Sequence, residues 1–290
     1  MIPLTITDVR AVPGDSAFLL DDGTTAVLYD TGYGFTGYAI ADKVQQLLGD
    51  RPLDYILLTH SHYDHALGST CLRQRYPQVQ IIAGAYADII FRKPTARAVM
   101  RDLDQKAAAA NGVTDYQDLT DTLCAHRTVV DGDVIQCGQM QFTVLELPGH
   151  TKCSIGFYLA ENQLLLGTET LGVYFGEGLF HPSFLVGYQM TLDSIQKAKA
   201  LEIRQILVPH YGVVSDREAQ TYLLQSEIVT KEIAHLILDQ LKQGKSSEEI
   251  FSQLTDLLYI DRVKPTYPYT AYRMNSMIII NQVQKELFCQ

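Results

Sequence analysis

A chain of 290 residues with 47% hydrophobic content is long enough to bury one sizeable core and still carry an accessory layer of helices, which excludes a disordered chain. Its 23 Lys and Arg against 33 Asp and Glu leave a formal net charge of -10, which argues against nucleic acid or an anionic membrane surface as partner and favours a small-molecule substrate. The N-terminal MIPLTITDVRAVPGDSAFLL lacks the basic start, continuous apolar stretch and small-residue cleavage site of a signal peptide, so a cytoplasmic protein is expected, with a homodimer left open.

In chain order, short apolar and β-branched runs at 24–29, 55–59, 79–83, 140–147, 155–159 and 164–166 each end in a turn or polar cluster and predict strands. A helix-like stretch at 191–200 precedes another such run at 205–208. Strands with interspersed helices predict a layered α/β core whose polar residues gather at strand ends. Residues 84–122 break the pattern with helices interrupted near Pro94 and Asn111-Gly112, and read as an inserted helical flap. Within it Arg92, Lys93, Arg97 and Arg101 form a basic cluster, either a solvated helix face or an anion-binding rim.

From residue 215 the chain turns helical. A capping box from Ser215 to Glu218 leads into an apolar stripe at Tyr222, Val229, Ile233, Leu236 and Ile237. A second box from Ser246 to Glu249 opens a shorter helix, a Pro-Tyr linker spans 265–269, and a last helix runs from about 271 to 288. The expected organisation is a core domain at 1–214, with its insertion at 84–122, and a helical C-terminal region at 215–290. Cys71, Cys124, Cys137, Cys153 and Cys289 form no C-x-x-C pair and read as reduced core thiols.

The chemistry is concentrated where the run at 55–59 meets His60-Ser61-His62-Tyr63-Asp64-His65, with four potential ligands in six residues. Imidazole and carboxylate suit borderline divalent cations such as zinc. Two imidazoles two apart on an extended segment can reach one ion, while the following turn aims Asp64 and His65 at another. Asp30 fits either a turn residue or a group that orients a histidine ligand.

This segment, THSHYDH, resembles the hallmark H-x-H-x-D-H of the metallo-β-lactamase superfamily, and the family's other elements stand in order around it: Asp30-Thr31-Gly32 before it, then P-G-H-T at 148–151, an acidic residue after LLLG, and P-H-Y-G at 209–212. The resemblance implies an αββα sandwich of metallo-β-lactamase type with a helical insertion and an α-helical C-terminal cap. It also implies two divalent metal ions, with zinc preferred over iron or manganese. His60, His62 and His150 would bind the first ion; Asp64, His65 and His210 the second. The family's bridging Asp is absent, and Gly167-Thr168-Glu169 offers either Thr168 or, by preference, Glu169 in its place.

Of the other histidines, His126 and His235 read as structural, and His181 as structural or pocket-facing. Lys152 and Cys153 would shape a pocket wall.

The implied activity is hydrolysis of an ester, thioester or related bond by a metal-bridging hydroxide, with Asp64 orienting it and Tyr63 and Tyr211 placed to donate to a developing oxyanion. The helical tail and the insertion are similar to the glyoxalase II and quinolone-signal-response thioesterase branch. The tyrosines at 259, 267, 269 and 272 would either line the cap or pack its helices. Two other readings compete: an iron-dependent oxidoreductase of the dioxygenase kind, and a metal-binding regulator of the same fold.

Overall fold

Apolar runs that do not alternate become strands covered on both faces, as at 26–29 and 164–166, whereas the alternating run at 140–146 exposes Gln141 and Glu146. In the computed structural model, which describes residues 1–288, the chain divides into two units, 1–146 with 153–166, and 147–152 with the residues from 167 on.

The first unit opens with β1 (Thr5–Asp8), β2 (Phe18–Asp21) and β3 (Ala26–Tyr29), paired antiparallel, and continues with β4 (Tyr55–Leu58), β5 (Gln80–Gly84) and β6 (Arg127–Val129), each parallel to its predecessor from β3 on. Leu28 sits opposite Ile56, and Ile56 opposite Ile81. Parallel neighbours need crossovers, and helices supply them. These are α1 (Gly37–Leu48), α2 (Tyr63–Ala66), α3 (Gly68–Arg75), α4 (Ala85–Phe91) and α5 (Pro94–Ala110). Helix α1 buries Ile40, Ala41, Val44 and Leu48, one stripe at helical spacing, against the core that also holds Leu28, Ile56 and Leu58.

Residues 84–122, expected as an inserted flap, hold α4 and α5, which connect β5 to its parallel neighbour β6. The basic cluster is largely committed to local structure. Arg92 pairs with Asp88, Arg97 donates to the carbonyls of Phe91 and Leu123, and Arg101 pairs with Asp118 and Asp121.

The same unit carries an antiparallel meander of β7 (Val134–Cys137), β8 (Met140–Glu146), β9 (Ile155–Leu159) and β10 (Leu164–Leu166). Ile155 donates its N–H to the Thr59 carbonyl at 2.9 Å, so the start of β9 meets the end of β4. Among the described residues Cys71, Cys124, Cys137 and Cys153 form no disulfide; Cys289 lies outside the described residues.

The second unit holds a short hairpin of β11 (Val173–Tyr174) and β12 (Phe180–His181), then α6 (Tyr188–Lys199), the hairpin β13 (Gln205–Val208) and β14 (Gly212–Ser215), and three helices: α7 (Asp216–Lys242), α8 (Ser247–Leu258) and α9 (Tyr269–Val283), the last ending in a π-helical turn at Gln284–Phe288. The Ser246–Glu249 capping box forms, but the one expected at Ser215 does not. Asp216 takes a left-handed φ of 55°, the Ser215 hydroxyl turns to the Asp216 carboxylate at 3.3 Å, and Glu218 instead accepts the hydroxyl of Tyr174.

The tyrosines at 259, 267 and 272 pack on one another, with centroids of Tyr259 and Tyr272 4.6 Å apart, and the buried Tyr272 hydroxyl donates to the Leu254 carbonyl at 2.9 Å. Among the described residues no helix is long and apolar enough to cross a membrane.

One ion-pair cluster ties α6 to α7. The mostly buried Glu227 carboxylate accepts from Lys199 at 2.7 Å and from Lys231, and these two hydrogen-bonded cations hold its pKa down to about 2. A carboxylate depressed in the folded state stabilises it above the unfolded pKa near 4.5 and loses that contribution as pH falls toward 2. Thermal unfolding should therefore show the wild-type midpoint dropping between pH 5 and pH 3 by several degrees more than that of Glu227→Gln. Equal drops would contradict the assignment.

Candidate metal centre

Four strand ends carry the residues singled out in the sequence. His60 to His65 follow β4, His150 follows β8, Glu169 follows β10, and His210 follows β13. Loops at the carboxyl ends of buried strands are where an α/β scaffold places reactive groups.

After β4 the chain leaves the sheet in extended form, with His62 at φ -71° and ψ 151°, then turns at once into α2. The rings of His60, His62 and His65 gather tightly as a result. Centroids lie 4.5 Å apart for His60 and His62, and 4.2 Å apart for His60 and His65. His60 and His65 are fully buried, so their orientation is set by protein partners rather than water.

Those partners converge on Asp30. Its carboxylate, with no solvent exposure, bonds His65 Nδ1 at 2.7 Å, accepts the Thr59 N–H at 2.9 Å, and accepts the Ser16 hydroxyl at 3.0 Å. Both readings of Asp30 hold together: its φ of 51° makes it the turn after β3, and its side chain orients a ring. With Nδ1 given to the carboxylate, His65 presents Nε2 as its donor to a cation. Thr59 Oγ1 plays the corresponding part for His60 Nδ1 at 3.0 Å.

The α2 to α3 turn is drawn against the Asp30 turn, where Thr31 donates from both N and Oγ1 to the His65 carbonyl at 2.8 and 2.7 Å. Gly68 is required there, because a Cβ would lie 1.8 Å from the Thr31 carbonyl oxygen.

In the second unit His150 is buried, with its Nδ1 on the Ser183 hydroxyl at 2.7 Å and its backbone N–H on Thr170 Oγ1 at 3.1 Å. Glu169, also buried, accepts from the Thr168 hydroxyl at 3.3 Å and lies 3.1 Å from His210 Nε2. Thr168 is thus bonded to the glutamate that the sequence offered as its rival. His210 has a φ of 62°, a strained conformation of the kind retained at functional sites.

Three sets of side chains each bring their ligand atoms within 4.8 Å of one another: His60, His62 and His150; His60, His65 and Glu169; Asp64, His65 and His210. Imidazole nitrogen and carboxylate oxygen, with the Nδ1 atoms of His60, His65 and His150 engaged by outer partners, are a donor set suited to zinc, iron or manganese. The residues fit a divalent metal.

The remaining candidates occupy other positions. Tyr63 packs on Tyr33, with centroids 5.5 Å apart, and Tyr211, partly exposed beside His210, packs edge-on against Tyr174 at 4.8 Å. Cys153 is buried with its thiol 3.3 Å from the Ser61 hydroxyl, while Lys152 is exposed. His126 accepts the Ile81 N–H at 3.0 Å, a structural role. His181 lies buried against Tyr267 and Tyr272, and burial lowers its pKa to about 4, so it is neutral at physiological pH. Ser16, Thr59, Thr170 and Ser183 went unread in the sequence; lone hydroxyls in loops carry no spacing signal.

The model of the metallo-β-lactamase superfamily matches residues 12–210, and the chain belongs to that superfamily. Among curated proteins it is similar to a hydroxyacylglutathione hydrolase of Stenotrophomonas maltophilia, 31% identical over 144 residues, or 50% of this chain and 41% of that protein. It is also similar to the atrochrysone carboxyl ACP thioesterase of a Cryptosporiopsis species, 23% identical over 81% of this chain and 60% of that one. The chain thus spans between 41% and 60% of the length of the first relatives it matches.

Among solved structures, a metallo-β-lactamase family protein of Thermus thermophilus has a TM-score of 0.66 at 18% identity, covering 99% of this chain and 94% of that one. An archaeal member from Sulfolobus tokodaii has a TM-score of 0.57 at 17% identity, covering 80% and 86%. These likenesses show the fold: an α/β sandwich of mixed sheets with a helical C-terminal segment.

Asp30→Asn keeps the shape of the side chain but offers one acceptor oxygen where the carboxylate offered two. It should lower metal affinity about 10- to 100-fold and depress the thermal midpoint by several degrees. Competition with a chromophoric chelator and thermal unfolding check the two effects, and unchanged affinity would remove Asp30 from the site.

Proposed function

We propose that the chain is a metal-dependent hydrolase of small-molecule thioesters or esters. In this reading His60, His62 and His150 hold one divalent ion, Asp64, His65 and His210 hold a second, and Glu169 supplies the shared anionic ligand in place of an aspartate. The observation that carries the reading is the convergence of these imidazole and carboxylate donors in three overlapping sets. Relatives named as hydroxyacylglutathione hydrolases and an ACP thioesterase support a thioester as substrate.

Bound zinc would supply Lewis acidity and lower the pKa of water from ~15.7 toward ~7, so that no Ser or Cys nucleophile is required. Asp64 orients the attacking water and takes its proton. The water oxygen adds to the acyl carbon, and Tyr63 and Tyr211, each next in sequence to a proposed ligand, would have to turn from their packing on Tyr33 and Tyr174 to donate to the oxygen that gains charge. When the carbon–sulfur bond breaks, the proton held by Asp64 passes to the leaving thiolate, releasing acid and thiol. Glu169, held by the Thr168 hydroxyl, would supply the anionic charge that offsets repulsion between two bound cations.

Turnover of a generic thioester should be lost on chelation and restored by zinc. His62→Ala and His210→Ala should each retain the fold while falling below about 1% of wild-type turnover and losing bound metal. Full activity in either variant would sink the proposal, and oxygen uptake by an iron-loaded protein that cleaves no ester would replace it with the dioxygenase reading. In Glu169→Gln, counting metal per chain should show depletion at one site; unchanged stoichiometry would return the position to Thr168 or to no shared ligand.

A further inference from the structure

The turn at 148–150, which carries His150, is held by more contacts than its backbone needs. The Pro148 carbonyl accepts the Ser194 hydroxyl at 2.6 Å, the Gly149 carbonyl accepts the Val186 N–H at 2.9 Å, and the His150 N–H reaches Thr170 Oγ1 at 3.1 Å. Gly149 itself is irreplaceable, since at φ 148° a Cβ would lie 2.2 Å from Thr191 Oγ1. These contacts act on the main chain and not on the imidazole.

The bond from Ser183 Oγ to Nδ1 at 2.7 Å acts on the ring itself. Ser183 is as buried as the ring it touches, two residues beyond β12, in the strap that leads to α6. We propose that Ser183 is a positioning residue for the metal ligand His150: its oxygen accepts the Nδ1–H, holding the tautomer whose remaining lone pair, on Nε2, is the donor for a cation.

A hydroxyl suits this task in a way that differs from Asp30 on His65. Its oxygen accepts the Nδ1–H without adding charge, so it fixes the ring while leaving the imidazole a neutral donor. A carboxylate can only accept, and it also adds charge that makes the imidazole a stronger donor. The histidines of the two proposed ion sites are therefore supported differently, with neutral hydroxyls behind His60 and His150 and a buried anion behind His65.

This inference rests on the metal reading, and its test separates the two. Zinc affinity of the full chain is measured by competition with a chromophoric chelator for wild type, Ser183→Ala and Ser183→Thr, alongside thermal unfolding of the metal-free proteins. The expected result is a 10- to 100-fold loss of affinity at one site in Ser183→Ala, recovery to within about threefold in Ser183→Thr, and metal-free midpoints within about 2 °C of wild type. Zinc bound by Ser183→Ala as tightly as by wild type overturns the assignment, as does a loss that threonine does not restore. If the alanine variant does not fold, Ser183→Val, isosteric with threonine, takes its place under the same criteria. A wild-type chain that binds no zinc overturns the metal reading itself and is recognised in the first titration.

Discussion

A single buried carboxylate sets the conditions for the first half of the site. Asp30 sits without solvent exposure at the turn after β3, and its two oxygens serve donors from three separate stretches of chain: Ser16, Thr59 and His65. Burying a carboxylate costs free energy unless charge and hydrogen bonds compensate, so the group is tolerable only when all of its partners are in place. Folding the sheet end and aiming the His65 ring are thus one event. At His150 hydroxyls are used: Thr170 on its backbone N–H, Ser183 on its ring, and Ser194 on the carbonyl of Pro148 two residues before it.

Much of this was legible in the sequence because density and order are strong signals. Three histidines and an aspartate within six residues leave little room for a purely structural account, and β4, β9, β10 and β13 fall on the expected apolar runs. Strands β1 and β2 were missed, since TITD and FLLD are too short to show a period and lie among turn-forming residues. Helix α1 was missed as well, though its buried stripe is regular.

Local rules failed where a distant group competed. Ser215 and Glu218 have the spacing of a capping box, yet the Tyr174 hydroxyl claims the glutamate and Asp216 takes a left-handed conformation. The roles of Ser16, Thr59 and Ser183 depend on partners 14, 29 and 33 residues away, and only the fold shows them. The same limit applies to Thr168 and Glu169, which the family resemblance offers as alternatives by register and which the structure joins by a hydrogen bond.

The central claim is that these donors hold two divalent ions, and anomalous diffraction from crystals grown with zinc, recorded on either side of the zinc absorption edge, tests it most directly. The account predicts two peaks that vanish below the edge, one among His60, His62 and His150 and one among Asp64, His65 and His210, with Glu169 bonded to both. A single peak, or zinc confined to the protein surface, would contradict it.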